Sequence, residues 1–481
     1  MDAVLSVLKT VGLIVLVVMF FNVMIFVHEL GHFLAGKWRG AYIDRFQIWF
    51  GKPIWKKKIG DVTYGIGWIP AGGFVSLPQM EDMEMVEGEA IHPDEEQRKK
   101  LKPLQALDKV IIAAAGPIFS LLLAYFFAVF VWILGKPDAE ILGTTIGHVA
   151  PNTPAAEAGL LPGDRITAID GKPVTKWMGN MEGVRELIAL SENEKIRFSI
   201  ERRAQDGTVE NKEINCGYRL PKTAWWERTG LRQVGIVPSS PTQVKTVIPG
   251  SPAALAGLTP GDTITAADGK KIYTPAALEC KEGVTLHLSV RGKDGTMRET
   301  DLTPAIPENW KGLEGIYAIF GVTWESRFKA TMEHPSPQAQ VNESLALMWK
   351  TLQKIAAPKS NIGMEHLSGP VGIGTYLYDM LAAPSGILLA LWFAVVLNVN
   401  LAVLNILPLP IVDGGHVVLG TLEMILKRPV QGRFLTVLQY AFFFVLIGFF
   451  LFVTFKDVGS AVSGKKSRES LPYPVFSTPA P

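Results

Sequence analysis

His28-Glu29-Leu30-Gly31-His32 sets two imidazoles and a carboxylate within five residues. On a helix, side chains four apart share one face a turn apart, so His28 and His32 can grip a single metal ion. Glu29, beside the first His, is placed to take a proton from a water activated by that ion. This is the mechanical content of the H-E-x-x-H pattern of zinc hydrolases. The pattern closes an apolar run from Val11 to Val27, a setting where ionisable side chains are costly unless they pair, ligate or react. The plainer alternative reads all three as boundary residues at the end of a membrane span.

Catalytic zinc commonly takes three protein ligands plus water, so two His leave the set one short. A later apolar stretch carries Asn398, Asn400 and Asn405, then Leu407-Pro408-Leu409-Pro410-Ile411-Val412-Asp413-Gly414-Gly415-His416. Pro408 and Pro410 break a helix and the Gly pair permits tight turning, which could deliver Asp413 to the His pair. The alternative for Asp413 is a helix N-cap. His416 reads as a fourth ligand, a group beside the ligands or a boundary residue, with no direct ligation the favoured reading. Asn405, nearest Asp413, and Asn400 are expected to contact substrate or a developing oxyanion; otherwise they join helices, as polar groups do in membranes.

These residues need elements to hold them. Four apolar runs, near 5–34, 108–135, 385–412 and 434–455, approach the ~20 residues that cross a bilayer. The first runs straight into His28 without a small-residue cleavage site, so it reads as a retained span. Lys37, Arg39, Arg45, Lys52 and Lys56-Lys57-Lys58 follow it, and Arg98-Lys99-Lys100, Lys102 and Lys109 lead into the second. The positive-inside rule then puts 36–107 in the cytoplasm, with the N-terminus and 136–384 outside. Lys427, Arg428 and Arg433 agree, while Lys465-Lys466 and Arg468 run mildly against it. The His pair falls toward the cytoplasmic side.

Between the first two spans, 40–78 has strand character: Phe46-Gln47-Ile48-Trp49-Phe50, Val62-Thr63-Tyr64 and Phe74-Val75-Ser76-Leu77, punctuated by Gly. Two readings stand: a small sheet dipping beside the His pair, where protein satisfies its backbone, or an ordinary cytoplasmic hairpin. Residues 79–103, acidic then basic, read as a solvated loop.

Residues 151–174 and 249–272 repeat without a gap, two of every three aligned positions being identical. The repeat resumes at Ile196-Arg197-Phe198-Ser199-Ile200 against Val284-Thr285-Leu286-His287-Leu288. The second copy is therefore shorter where the first has an amphipathic helix over Met181 to Leu190. Two tandem β-rich modules result, 136–222 and 223–306. A linker, 307–384, holds an amphipathic helix from Gln338 to Ala357, expected on the membrane surface or against the modules. The last two spans occupy 385–456, and the polar, Pro-rich tail 457–481 is expected to be disordered. A composition of 48% hydrophobic and 19% charged residues suits a membrane protein with soluble domains, and a net charge of +2 argues against a nucleic-acid partner. The two Cys, Cys216 and Cys280, make no disulfide framework.

Taken together, His28-Glu29-Leu30-Gly31-His32, Leu404-Asn405-Ile406-Leu407-Pro408 and Asp413-Gly414-Gly415 resemble the site-2 protease family of intramembrane zinc metalloproteases. Phe46-Gln47-Ile48-Trp49-Phe50-Gly51, Pro70-Ala71-Gly72-Gly73-Phe74, Ala115-Gly116-Pro117 and Ser368-Gly369-Pro370-Val371-Gly372-Ile373 match it too, so the resemblance covers nearly the whole chain. It implies four transmembrane helices, a small membrane-associated β-sheet and two extracytoplasmic PDZ-like domains, in a bacterial inner membrane. It implies one zinc per chain held by His28, His32 and Asp413, with Glu29 as general base. Gly72, Gly73 and Phe74 would belong to a reentrant β-loop that presents an unwound substrate strand. Substrates would be single-span membrane proteins, anti-sigma factors and signal-peptide remnants among them, with the PDZ-like pair binding or excluding their periplasmic parts. Ser120 departs from the pattern, the family having Asn after Ala-Gly-Pro at that place. Two rivals remain at this level: a membrane-anchored PDZ scaffold with a structural metal, and a metal transporter using the same His and Asp.

Overall fold

The computed structural model describes residues 2–80, 101–140, 143–179, 181–204, 206–278, 281–311, 318–326, 329–428, 433–466 and 473–476. Two compact units emerge: Met1–Pro137 with Met332–Leu352 and Leu367–Val458, and Asp138–Thr331 with Gln353–His366 and Gly459–Pro481.

In the first unit the chain enters as α1 (Asp2–Trp38). It then forms the hairpin β1 (Arg45–Ile59) and β2 (Val62–Ser76) and returns as α2 (Ala106–Leu134). After the modules come α3 (Pro337–Ala356), α4 (Pro370–Ala382), α5 (Gly386–Ile406), α6 (Asp413–Leu426) and α7 (Arg433–Lys466). Four helices are long and apolar enough to cross a membrane, over Val7–Trp38, Ala106–Leu134, Gly386–Ile406 and Val437–Val462. The third stops short of the expected 412, because Leu407 to Val412, with its two prolines, leaves the helix before α6 begins.

Helices α1 and α2 cross where side chains are smallest. A Cβ on Gly31 would lie 2.6 Å from the Ala115 carbonyl oxygen, so only glycine allows this approach. Arg39 closes one end of the crossing on Asp108 at 2.5 Å, and Lys109 pairs with Glu423 of α6 at 3.0 Å. Beneath the hairpin, Phe33, Phe46, Val75, Leu77 and Ile112 form a buried apolar seam between sheet and helices.

The hairpin is more folded than its two strands suggest. Arg45–Ile48 lies between two segments of β2, pairing on one side with 63–66 and on the other with 73–76, while 55–59 pairs with 62–66. The bulge at 49–52 makes this doubling possible: Trp49 and Gly51 take φ of +67° and +84°. Buried Gln47 ties the bulge down, its Nε2 donating to the carbonyls of Trp49 and Gly51 at 3.0 and 2.9 Å. The Trp49 indole N–H donates to Asn22 Oδ1 of α1. The sheet thus stands against the first span; residues 81–100 of the expected solvated loop lie outside the described residues.

Helix α3 meets the expected packing on the modules only at its far end, where Lys354 donates to the Leu190 carbonyl at 2.9 Å and pairs with Glu192 at 2.6 Å. Its Val341 packs with Ala124, Ala128 and Val131 of α2 and Val395 and Val399 of α5, and Gln340 Nε2 donates to the Ala128 carbonyl at 3.0 Å. Its first half therefore rests on span helices.

In the second unit each repeat forms a four-stranded and a two-stranded antiparallel sheet. In the first module Arg165–Ile169, Lys172–Pro173, Ile196–Arg203 and Val209–Cys216 make the larger sheet, and Ile146–Val149 pairs with Ile236–Pro238. The second repeats this with Thr263–Ala267, Lys270–Lys271, Leu286–Arg291 and Met297–Leu302, and Val244–Val247 pairs with Val322–Trp324. Helix Val184–Leu190 of the first copy has only the 3-10 turn Pro275–Ala277 opposite it among the described residues. The module boundaries expected at 222 and 306 are corrected: each module is completed by a strand lying beyond them, at 236–238 and 322–324. Cys216 is a free, buried thiol; Cys280 lies outside the described residues. The tail is also corrected, since α7 continues to Lys466 and residues 473–476 have a defined place on the second module.

Candidate active site

His28 and His32 leave α1 on the face turned to α2, and both are buried. The His32 Nδ1 lies 2.9 Å from the Ile112 carbonyl. A carbonyl only accepts, so Nδ1 carries the proton and Nε2 of the neutral ring presents a lone pair. His28 Nδ1 lies 3.0 Å from the Ser120 hydroxyl, a group that can accept from it, and the ring is turned so that Nε2 faces Asp413. Asp413, the first residue of α6, is buried beside them. The N-cap alternative fails here, because Val412 holds the cap position and the Asp413 carboxylate turns to the imidazoles.

The two imidazole nitrogens and the Asp413 carboxylate form a triangle, with one carboxylate oxygen turned to each ring. Nε2 to Nε2 is 3.4 Å, His28 Nε2 to Asp413 Oδ2 is 3.2 Å, and His32 Nε2 to Asp413 Oδ1 is 3.3 Å. A tetrahedral ion with bonds of about 2.0–2.1 Å has ligand-to-ligand edges of roughly 3.3–3.4 Å. Asp413 Oδ2 is buried and accepts no hydrogen bond among the described residues. Lone pairs and a carboxylate converging at this spacing repel one another unless a cation sits between them. The donor set of two imidazoles and one carboxylate suits zinc and leaves a coordination position open. No other such group of His, Cys, Asp or Glu occurs among the described residues.

The triangle opens on a cavity of about 270 Å³. Glu29 lines it, as do Phe50, Gly72, Gly73, Leu401, Asn405 and His416. Gly73 brings the sheet close to Glu29: a Cβ there would be 3.4 Å from Glu29 Cγ and 3.2 Å from an Ile25 methyl. Gly72, at φ +74°, lies under the Phe50 ring, which any side chain at that position would overlap. Asn405 Nδ2 stands 3.4 Å from His28 Nε2, so its amide reaches the metal-facing atoms.

Two expected contacts are not brought here. Phe74 is buried and outside the cavity lining, in the apolar core on the strand beyond Gly73. Asn400 also stays out of the lining, its Oδ1 buried with no hydrogen-bond partner among the described residues, because Leu401 and Asn405, four apart, define the helix face turned to the cavity. Conversely, Ser120 and Phe50 belong to the site although their chemistry alone gave no reason to choose them. For Ser120 the available signal was its place one helical turn beyond Gly116, on a face that also meets His32.

The family model for peptidase family M50 matches residues 15–449. A regulator of sigma-E protease from Haemophilus influenzae is 27% identical over 452 residues, covering 90% of this chain and 96% of that protein. The regulator of sigma-E protease RseP from Escherichia coli is 27% identical, covering 86% and 90%. The corresponding RseP of Salmonella typhimurium is 26% identical with the same coverage.

Proposed function

The chain belongs to peptidase family M50 and is a site-2-type zinc metalloprotease; from that premise we propose that it cuts single-span membrane proteins within the bilayer, using His28, His32 and Asp413 to hold one zinc and Glu29 as general base. The observation that carries this reading is the triangle of His28 Nε2, His32 Nε2 and Asp413 oxygens with edges of 3.2 to 3.4 Å, opening on a cavity that Glu29 lines.

Zinc, when bound, lowers the pKa of a water toward ~7 and polarises the scissile carbonyl. Glu29 takes the proton of the attacking water and passes it to the leaving amide nitrogen. Asn405 donates toward the carbonyl oxygen as negative charge gathers there. A substrate helix hides its amides, so it unwinds and lies along segment 73–76, whose other side carries no strand among the described residues. Gly72 and Gly73, having no side chains, let that strand approach Glu29.

The basic residues flanking the first two spans favour the cytoplasmic side of the membrane for the hairpin and the metal-holding end of α1. The two repeats are then PDZ-like modules on the periplasmic face of a bacterial inner membrane, where they bind or exclude the outer parts of substrates. The relatives are named as proteases that regulate sigma-E, and the proposal takes anti-sigma factors as one substrate class.

The test is cleavage of a single-span reporter in membranes by wild type and by Glu29→Gln, with zinc content measured in both. Loss of cleavage by about 10²–10⁴-fold at unchanged zinc content is expected for removal of a general base. Equal cleavage by both would sink the assignment of Glu29.

A further inference from the structure

The second module carries an extended segment that is not one of its own strands. Residues Tyr473–Phe476, near the C-terminus, lie along the 3-10 turn Glu308–Trp310. The Asn309 side chain bridges them: its Nδ2 donates to the Tyr473 carbonyl at 2.8 Å, and its Oδ1 accepts from the Val475 N–H at 2.9 Å. The Glu308 N–H donates to the Val475 carbonyl at 2.8 Å. In an extended chain these three groups, the carbonyl before Pro474 and both polar groups of the residue after it, lie along one edge.

Pro474 fits this arrangement for a physical reason. Its missing N–H would belong to the opposite edge, so the proline removes nothing that Asn309 and Glu308 read. Its ring also fixes φ near −65° and holds the segment extended before it docks. Phe476 follows with its ring on Gly321: a Cβ on Gly321 would come within 3.2 Å of the ring. Gly321 takes φ of +77° beside Ser251, so glycine is required there for conformation as well as for space. Trp310, next to Asn309, is buried and anchors the turn. The amide-to-backbone pairing differs from strand addition, since none of these bonds goes to the strand Val322–Trp324.

We propose that Glu308, Asn309 and Gly321 form a peptide site on the second module. It takes an extended segment with a proline between the two peptide groups that Asn309 reads and an aromatic residue two positions after the proline. Its occupant here is the chain's own Tyr473–Phe476. A tethered occupant acts at an effective concentration in the millimolar range, so an outside peptide of the same kind binds only by displacing it. The proposal does not rest on the metal chemistry, and its test is read without proteolysis.

The probe is a fluorescein-labelled synthetic peptide with the sequence of residues 467–481, followed by polarisation against the detergent-purified protein. A chain ending at Lys466 is expected to bind it saturably, and the full chain at least about tenfold more weakly, because the tethered copy competes. Asn309→Ala in the shortened chain, and Phe476→Ala in the peptide, are each expected to weaken binding by about tenfold or more. Equal binding by both chains, no binding by the shortened chain, or an unaffected Asn309→Ala variant would each overturn the proposal. Hydrogen exchange on the unmutated full chain guards against misfolded variants: the Val475 amide must be protected, and exchange at the rate of a free peptide also overturns it.

Discussion

His28 Nδ1 and the Ser120 hydroxyl, 92 residues apart in the chain, meet at 3.0 Å inside the crossing of α1 and α2. This contact orients the imidazole and fixes which ring nitrogen faces Asp413. Partners behind a metal-ligating His hold its tautomer and orientation, and their loss commonly costs 10–100-fold in metal affinity or activity. Ser120→Ala should therefore weaken zinc binding by roughly that factor, measured by competition with a chromophoric chelator, while the helices still assemble. Ser120→Asn, which restores the residue usual in the family, should recover most of the loss. Zinc affinity unchanged in Ser120→Ala would mean that the hydroxyl is only a space-filler.

Gly116 gives a second prediction, in which stability and metal binding move in opposite directions. A Cβ at this position would overlap His32 Nε2 and come within 2.9 Å of His28 Cε1. Alanine in a helix interior is otherwise favoured over glycine by about 0.5–1 kcal/mol. Gly116→Ala should keep or raise the thermal midpoint of the apoprotein while zinc content falls at least about tenfold, because the new methyl sits where the ligand atoms converge. Elemental analysis beside differential scanning fluorimetry reads both quantities. Full zinc content in the variant would show that the His pair can retreat without losing the metal.

How far the site could be read from the sequence follows from how local each signal is. His28, Glu29 and His32 declare themselves through helical spacing, and Asp413 through being an acid in an apolar stretch. The four spans needed only length and hydropathy. Asn400 and Phe74 lie outside the cavity lining, because the face a residue presents depends on helix rotation and strand pleat, which sequence spacing alone does not fix. Ser120 and Gly116 gained their meaning only when α2 met α1, a contact no local pattern encodes. The strands 236–238 and 322–324 were cut from their modules because their partners lie far back in the chain. The tail looked disordered by composition, yet the residues that receive it include Asn309 and Gly321, well over a hundred positions earlier.

The repeats offer a prediction about acid. In the second module Asp262 is buried and accepts from the Thr259 N–H at 2.8 Å and from Arg298 Nη2 at 2.6 Å, while Arg298 also donates to the Gly257 carbonyl at 3.0 Å. The first module builds the same clasp from Asp164, the Leu161 N–H, Arg202 and the Gly159 carbonyl. Burial raises the Asp262 carboxyl, but the bonds from Arg298 and Thr259 outweigh it and hold the group below its ordinary value. A carboxyl depressed in the folded state contributes stability that is present above its unfolded pKa of about 3.9 and is lost as pH falls through the lower folded value. Hydrogen exchange in Thr263–Ala267 should therefore show protection that holds from pH 7 to about 5 and declines below about 4, after correction for intrinsic rates. Asp262→Asn keeps the shape, removes the charge and should cost about 1–3 kcal/mol at pH 7, with a flatter acid dependence. An acid profile identical to wild type would place the acid-sensitive group elsewhere in the module.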